Sequence, residues 1–214
     1  MEKHFWKQRW QRGETGFHRD RTHPALAHHW DDISTGSCAP ALVPLCGKSL
    51  DLRWLAQRGH DVVGVELSAG AIEAFYREWD KPATRTRAGR LQHWRAQNVE
   101  IFEGDFFDFE SDTPFDLFYD RAALVALPED MRTRYLDHLR RQLSAQATGL
   151  LITLEYDQTQ MDGPPFSVVE NELRSHPGFS FELLERSDAL TDHPRFAERG
   201  LTALHECAWR VMVV

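Results

Sequence analysis

Cysteine is scarce in this chain: Cys38, Cys46 and Cys207 are the three in 214 residues, none stands in a C-x-x-C pair, and an odd count leaves one over. That pattern excludes a disulfide framework and a structural zinc site of the usual spacing, and it fits a reducing compartment. Long apolar runs are missing too. No stretch of about 18 apolar residues occurs, and Met1-Glu2-Lys3-His4 leads into a tryptophan-bearing amphipathic segment rather than a signal-peptide core, so a soluble cytoplasmic protein without a membrane partner is expected. Positive charge is in deficit. The 25 Lys and Arg against 33 Asp and Glu leave a net charge of -8, which argues against nucleic acid, whose binding draws on a basic surface. The one basic cluster, Arg85, Arg87 and Arg90, has no interleaved aromatic ring to stack a base and reads as part of a solvated connection over residues 81–89.

Glycine is sparse where a dinucleotide loop would need three. The run Ala41-Leu42-Val43-Pro44-Leu45-Cys46-Gly47-Lys48-Ser49 holds one, so a pyrophosphate, which needs close backbone approach and a free helix N-terminus, is disfavoured. The order of the pieces is nevertheless that of a nucleoside-binding βαβ unit. Residues 41–43 are an apolar strand ended by Pro44, which has no N–H to donate. Gly47 allows a ligand to approach the backbone. Leu50, Leu52, Trp54, Leu55 and Ala56 supply the apolar side of a helix that Gly59 stops. Val62-Val63-Gly64-Val65-Glu66 then ends in a carboxylate about 20 residues downstream, where such sites hold the ribose hydroxyls. The competing reading of Glu66 is a solvated strand end. A ligand with ribose but no phosphate suits this loop, and S-adenosylmethionine is one.

The rest of the chain alternates. Strand-like runs lie at 41–43, 62–66, 99–103, 115–119, 149–155, 179–184 and 207–213, with helical stretches near 49–58, 69–79, 91–97, 128–143 and 167–173. Alternation predicts an α/β fold with a doubly wound, mostly parallel seven-stranded sheet whose ligand lies beyond the carboxyl ends of the strands. One domain spanning 1–214 is expected, with residues 41–214 as the Rossmann-like core. Residues 1–40 carry Trp6, Trp10, Phe17 and Trp30, too much aromatic area for a disordered tail, and read as a helical lid.

Several of these motifs occur together in one known family. Leu45-Cys46-Gly47-Lys48-Ser49, Arg58 through Ser68, Tyr119-Asp120-Arg121-Ala122-Ala123-Leu124-Val125-Ala126-Leu127-Pro128, Gly163-Pro164-Pro165-Phe166 and the opening Trp10 with Thr15-Gly16-Phe17-His18 resemble the thiopurine S-methyltransferase family, in its bacterial branch, over nearly the whole chain. The resemblance implies a class I S-adenosylmethionine-dependent methyltransferase. It implies that Trp10, Leu45, Glu66 and Arg121 touch the cofactor, Arg121 against its methionine part, with Phe17 beside the acceptor ring and Arg195 near an acidic or electron-rich substituent of the acceptor. Gly47 joins the cofactor set as the loop glycine.

Residue chemistry adds two strand ends. Asp105, after the strand at 99–103, can accept from an adenine amino group while the ring of Phe106 packs on the base; alternatively Asp105 caps a turn and Phe106 is core. Asp120-Arg121 can line the cleft, Arg121 gripping a carboxylate bidentately, or form a structural pair. Phe17 can equally be lid core, and Arg195 a solvated loop residue. His18, His23, His28 and His29 cluster without any H-E-x-x-H spacing, so no metal is expected.

The reaction read from all this is methyl transfer from S-adenosylmethionine, leaving S-adenosylhomocysteine, to small aromatic or heterocyclic thiols such as thiopurines, by a monomer. An already ionised thiol needs no strong base; Asp120 or a water could serve less acidic acceptors. Alternatives are methylation of selenium or tellurium compounds and a non-catalytic nucleoside sensor.

Overall fold

The computed structural model describes residues 3–14, 16 and 18–214. In chain order the elements are α1 (Lys3–Gln11), α2 (Pro24–Ser34), β1 (Ala41–Pro44), α3 (Leu50–Gln57), β2 (Val62–Glu66), α4 (Ala69–Glu78), β3 (Thr84–Ala88), β4 (Leu91–Ala96) and β5 (Val99–Glu103). The second half holds β6 (Phe115–Arg121), α5 (Glu129–Gln142), β7 (Leu143–Glu155), α6 (Glu170–Arg174), β8 (Phe179–Asp188), α7 (Pro194–Glu198) and β9 (His205–Val213).

The strands form one sheet in the order β3-β4-β5-β2-β1-β6-β7-β9-β8. Its centre, β5 to β7, is parallel, and β9, β8, β4 and β3 run antiparallel to their neighbours. All seven expected strands are present, but the sheet has nine, and half of its strand pairings are antiparallel rather than most being parallel. The two additional strands replace the expected connection at 81–89 and helix at 91–97. Leu91 and Trp94 have a helical i, i+3 spacing, but in the strand they fall on opposite faces and enter different apolar layers; turn chemistry decides for the strand, since Gly89-Arg90 and Gln97-Asn98 are two-residue connections whose first members have φ of 59° and 55°, the geometry of tight hairpins.

Alternation along the strands sends side chains into two apolar layers. In β1, Leu42 packs into one layer with Phe118, Leu151 and Trp209, while Ala41 and Val43 face the other with Trp30, Leu55 and Phe75. Helices cover both faces and start where the sequence caps them: Ser49 accepts from the Asp51 N–H and Ser68 from the Ala71 N–H. α2 starts on Pro24 and presents Leu26, Trp30 and Ile33 to the sheet. Of the segment expected as a lid, α2 is therefore core, and only α1 and the stretch after it lie by the strand ends. Among the described residues no helix is long and apolar enough to cross a membrane.

Trp30 ties α2 to the sheet. Fully buried, it donates its indole N–H to His60 Nε2 at 2.9 Å. Because Trp Nε1 is only a donor, His60 holds its proton on Nδ1 and donates it to the Ala39 carbonyl at 2.8 Å. Trp30→Ala is expected to lower stability by about 3–5 kcal/mol, read as a lower urea midpoint with unchanged slope; a midpoint within error of the parent would remove α2 from the core.

Candidate functional site

The strand order reverses at β1, with β2 on one side and β6 on the other. At such a switch point the loops diverge and leave a crevice beyond the strand ends. A cavity of about 730 Å³ lies there, within the range of small-molecule sites. Leu45 after β1 and Ala122 after β6 both line it in left-handed backbone (φ 48° and 63°), a conformation that costs a non-glycine residue of order 1 kcal/mol and concentrates at functional sites.

Glu66 at the end of β2 is buried, and both its carboxylate oxygens accept backbone N–H groups: Oε2 from Gly47 at 2.9 Å and Oε1 from Ser68 at 2.7 Å. Burial pushes the carboxyl up to about 7, against the pull of those hydrogen bonds. Each oxygen keeps a lone pair for a ligand hydroxyl. Gly47 has φ 56°, and a Cβ there would stand 3.1 Å from Cζ2 of Trp10, so α1 lays its tryptophan over the loop. Trp10, the Leu45–Gly47 loop and Glu66, which come from three separate parts of the sequence, all line the cavity.

Asp105 and Phe106 line the same side. Asp105 accepts the Phe107 N–H at 3.0 Å, and buried Phe106 sits edge-on to His138 with ring centroids 4.8 Å apart. The capping and core readings both hold, and both residues still border the cavity. Arg121 reaches it from the end of β6.

Asp120 is not among the cavity-lining residues, and the catalytic expectation for it gives way to a structural one. The side chain is 1% exposed and accepts from the Tyr135 hydroxyl at 2.7 Å and the Leu124 N–H at 3.2 Å, pinning the turn after β6 to α5. Burial raises its carboxyl to about 6. The one-residue alternation of a strand explains the difference: Arg121 reaches the cavity while Asp120 is turned into the core.

The far end of the cavity is cationic. Arg195, on α7, lies so close to Gly16 that a Cβ there would collide with its guanidinium. Burial and then Arg121, Arg199 and Arg9 lower its proton affinity, so four guanidiniums share this end. Phe17 lies outside the described residues. Of the clustered histidines, His18 lines the cavity, His23 is buried in the core, and His29 meets Glu185 at 3.1 Å. Sequence reading missed Arg9, His193, Arg199 and Glu206, which also line it; they come from opposite chain ends and carry no local motif.

The thiopurine S-methyltransferase family model matches residues 1–212. A thiopurine S-methyltransferase of Bordetella petrii is 48% identical over 215 residues, covering 99% of this chain and 98% of that protein. One from Pseudomonas putida is 44% identical over 214 residues, covering 99% of each. Among solved structures, Burkholderia thailandensis 1,6-didemethyltoxoflavin-N1-methyltransferase with bound 1,6-didemethyltoxoflavin and S-adenosylhomocysteine aligns with a TM-score of 0.64 at 16% identity, over 99% of this chain and 87% of that one. That last likeness is one of fold.

A carboxyl raised to about 7 binds its proton more readily folded than unfolded, so burying Glu66 weakens the fold progressively as pH rises from about 4.5 to 7, by up to about 1.4 kcal/mol per unit, and in full above that. Glu66→Gln removes the titration at nearly equal shape. Its melting temperature relative to the parent is expected to rise between about pH 5 and about pH 8; an equal difference at both would mean Glu66 titrates as an ordinary carboxylate.

Proposed function

The chain belongs to the thiopurine S-methyltransferase family, and from that premise we propose that it binds S-adenosylmethionine across the switch point and methylates small aromatic or heterocyclic thiols at the cationic end of the cavity. The observation that carries the reading is Glu66, a buried carboxylate clamped to the Gly47 backbone at the cavity wall, with Arg121 facing the same cavity. The residues present fit this cofactor: a ribose requires an acceptor pair such as Glu66, an adenine an apolar wall such as Phe106 with the Asp105 carboxylate, and an amino-acid carboxylate a guanidinium such as Arg121. Trp10 and Leu45 complete the wall, and α1 serves as the cover.

When bound, S-adenosylmethionine supplies an electrophilic methyl group on a sulfonium. The chain's own contribution is alignment, dryness and charge. Leu45, Val125, Leu154 and Phe196 give apolar walls that exclude water. Arg9, Arg195 and Arg199 favour an ionised thiol, since the thiolate is the nucleophile. Cys46 takes no covalent part: it is buried, and burial and then Glu66 push its thiol well up, opposite to an activated cysteine. The same guanidiniums also suit anionic acceptors, which supports selenium or tellurium oxyanions as a second acceptor class.

The test pairs binding with turnover. Calorimetry is expected to show S-adenosylmethionine and S-adenosylhomocysteine binding and NAD not, with Glu66→Ala weakening the cofactor by about 1–3 kcal/mol at unchanged fold. Mass spectrometry of a thiopurine, selenite and tellurite panel should show methylated thiopurine. Binding without any methylated product would favour a nucleoside sensor, and NAD tighter than S-adenosylmethionine would overturn the reading.

A further inference from the structure

Glu206 is the second residue of β9, paired opposite Leu154 of β7 at the end of the sheet that bears the cavity. In the order β2-β1-β6-β7-β9, Glu206 lies four strands from Glu66, roughly 19 Å at about 4.8 Å per strand. With a nucleoside against Glu66 and its amino-acid end at Arg121 on β6, the space over β7 and β9 is left to the acceptor. Glu206 lines that space, its side chain 22% exposed.

Beneath it stands His23, fully buried, with Nε2 3.2 Å from Glu206 Oε1. The two are in ion-pair contact, though among the described residues neither ring nitrogen has a hydrogen-bond partner of good geometry. The backbone that carries the ring is held from behind. The His23 backbone N–H donates to Asp51 Oδ1 at 2.8 Å, and Asp51 Oδ2 accepts the Tyr119 hydroxyl at 3.0 Å. Buried orphan nitrogens cost stability and call for a function. The charged and titratable groups near Glu206 are His23 just before α2, Tyr119 and Arg121 on β6, Arg19 before α2 and His193 just before α7. Burial pushes the Glu206 carboxyl up, but His23, Arg121 and Arg19 together outweigh it and hold the group ionised.

We propose that Glu206 is the group that takes the acceptor's proton as the acceptor sulfur takes the methyl group, with His23 as the positioning residue that holds the carboxylate. The proposal rests on the methyltransferase reading above. The S–H bond breaks with its electron pair left on sulfur, and that sulfur forms a new S–CH3 bond. The methyl–sulfonium bond breaks with its pair going to the donor sulfur. The proton goes to a Glu206 oxygen and from there to water at the open side of the cavity. Acceptors that arrive as thiolates skip the proton transfer.

Two thiols separate this role from a structural one: 4-nitrothiophenol, ionised at neutral pH, and benzyl mercaptan, which is not. In Glu206→Gln, kcat/KM for benzyl mercaptan is expected to fall about a hundredfold, at least tenfold further than for 4-nitrothiophenol, with partial rescue in Glu206→Asp. Equal losses with both thiols, or none, would overturn the proposal. A parent enzyme that fails to methylate benzyl mercaptan overturns the proposal, whereas the methyltransferase reading stands or falls on thiopurine methylation, whatever Glu206→Gln does. Independently of turnover, carboxyl 13C NMR of the whole chain should show the Glu206 titration move to higher pH in His23→Gln; an unmoved titration in a folded variant would remove His23 from the pair.

Discussion

The clamp of Glu66 on the Gly47 and Ser68 N–H groups is the constraint on which the rest of the site hangs. It joins the loop after β1 to the tip of β2, and the same strand end accepts the Gly104 N–H through its backbone carbonyl. Three loops thereby converge on one residue, two of them on its carboxylate and one on its backbone carbonyl. The conformational demands follow from that closure: Gly47 must take a positive φ, Leu45 is driven into left-handed backbone, and the space above Gly47 is left to the indole of Trp10. A charge withdrawn from water is tolerable because it is hydrogen-bonded on both oxygens. The remaining lone pairs make it a pre-aligned acceptor, so a ligand meets a wall already ordered.

Much of this was legible in the chain. The strand, single-glycine loop, helix and acidic strand end at 41–66 could be read because each piece has a local cause: Pro44 stopping a strand, Ser49 capping a helix, Gly59 ending it. The hairpin of β3 and β4 could not be read from apolar spacing, since Leu91 and Trp94 stand three apart as on a helix and are both buried only because the strand is covered on both faces; its signal lay in two-residue turns at Gly89 and Gln97. Trp30 was visible as aromatic area but not as core, because what receives it, His60 and Tyr119, comes from two other parts of the chain.

Asp120 and Glu206 show the limit of motif reasoning more sharply. Asp120 stands beside Arg121 in a conspicuous motif, yet its strand register turns it toward Tyr135. Glu206 stands in no motif and borders the cavity because β9 returns antiparallel beside β7. Adjacency in sequence separates neighbours across a sheet, and adjacency across the sheet joins residues that sequence keeps apart.

The cavity's two ends also differ in how the chain builds them. The wall around Glu66 comes from three loops between Leu45 and Phe107, knit together by the Glu66 clamp. The cationic end is assembled from Arg9, Arg121 and the short segment from His193 to Glu206, which leans on a separate small cluster around Phe196, Leu201 and Leu204. Replacements in that segment therefore do not pass through the clamp. A replacement at Arg195 or Arg199 is thus expected to leave the ordered wall around Glu66 as it stands, so the two ends can be altered one at a time.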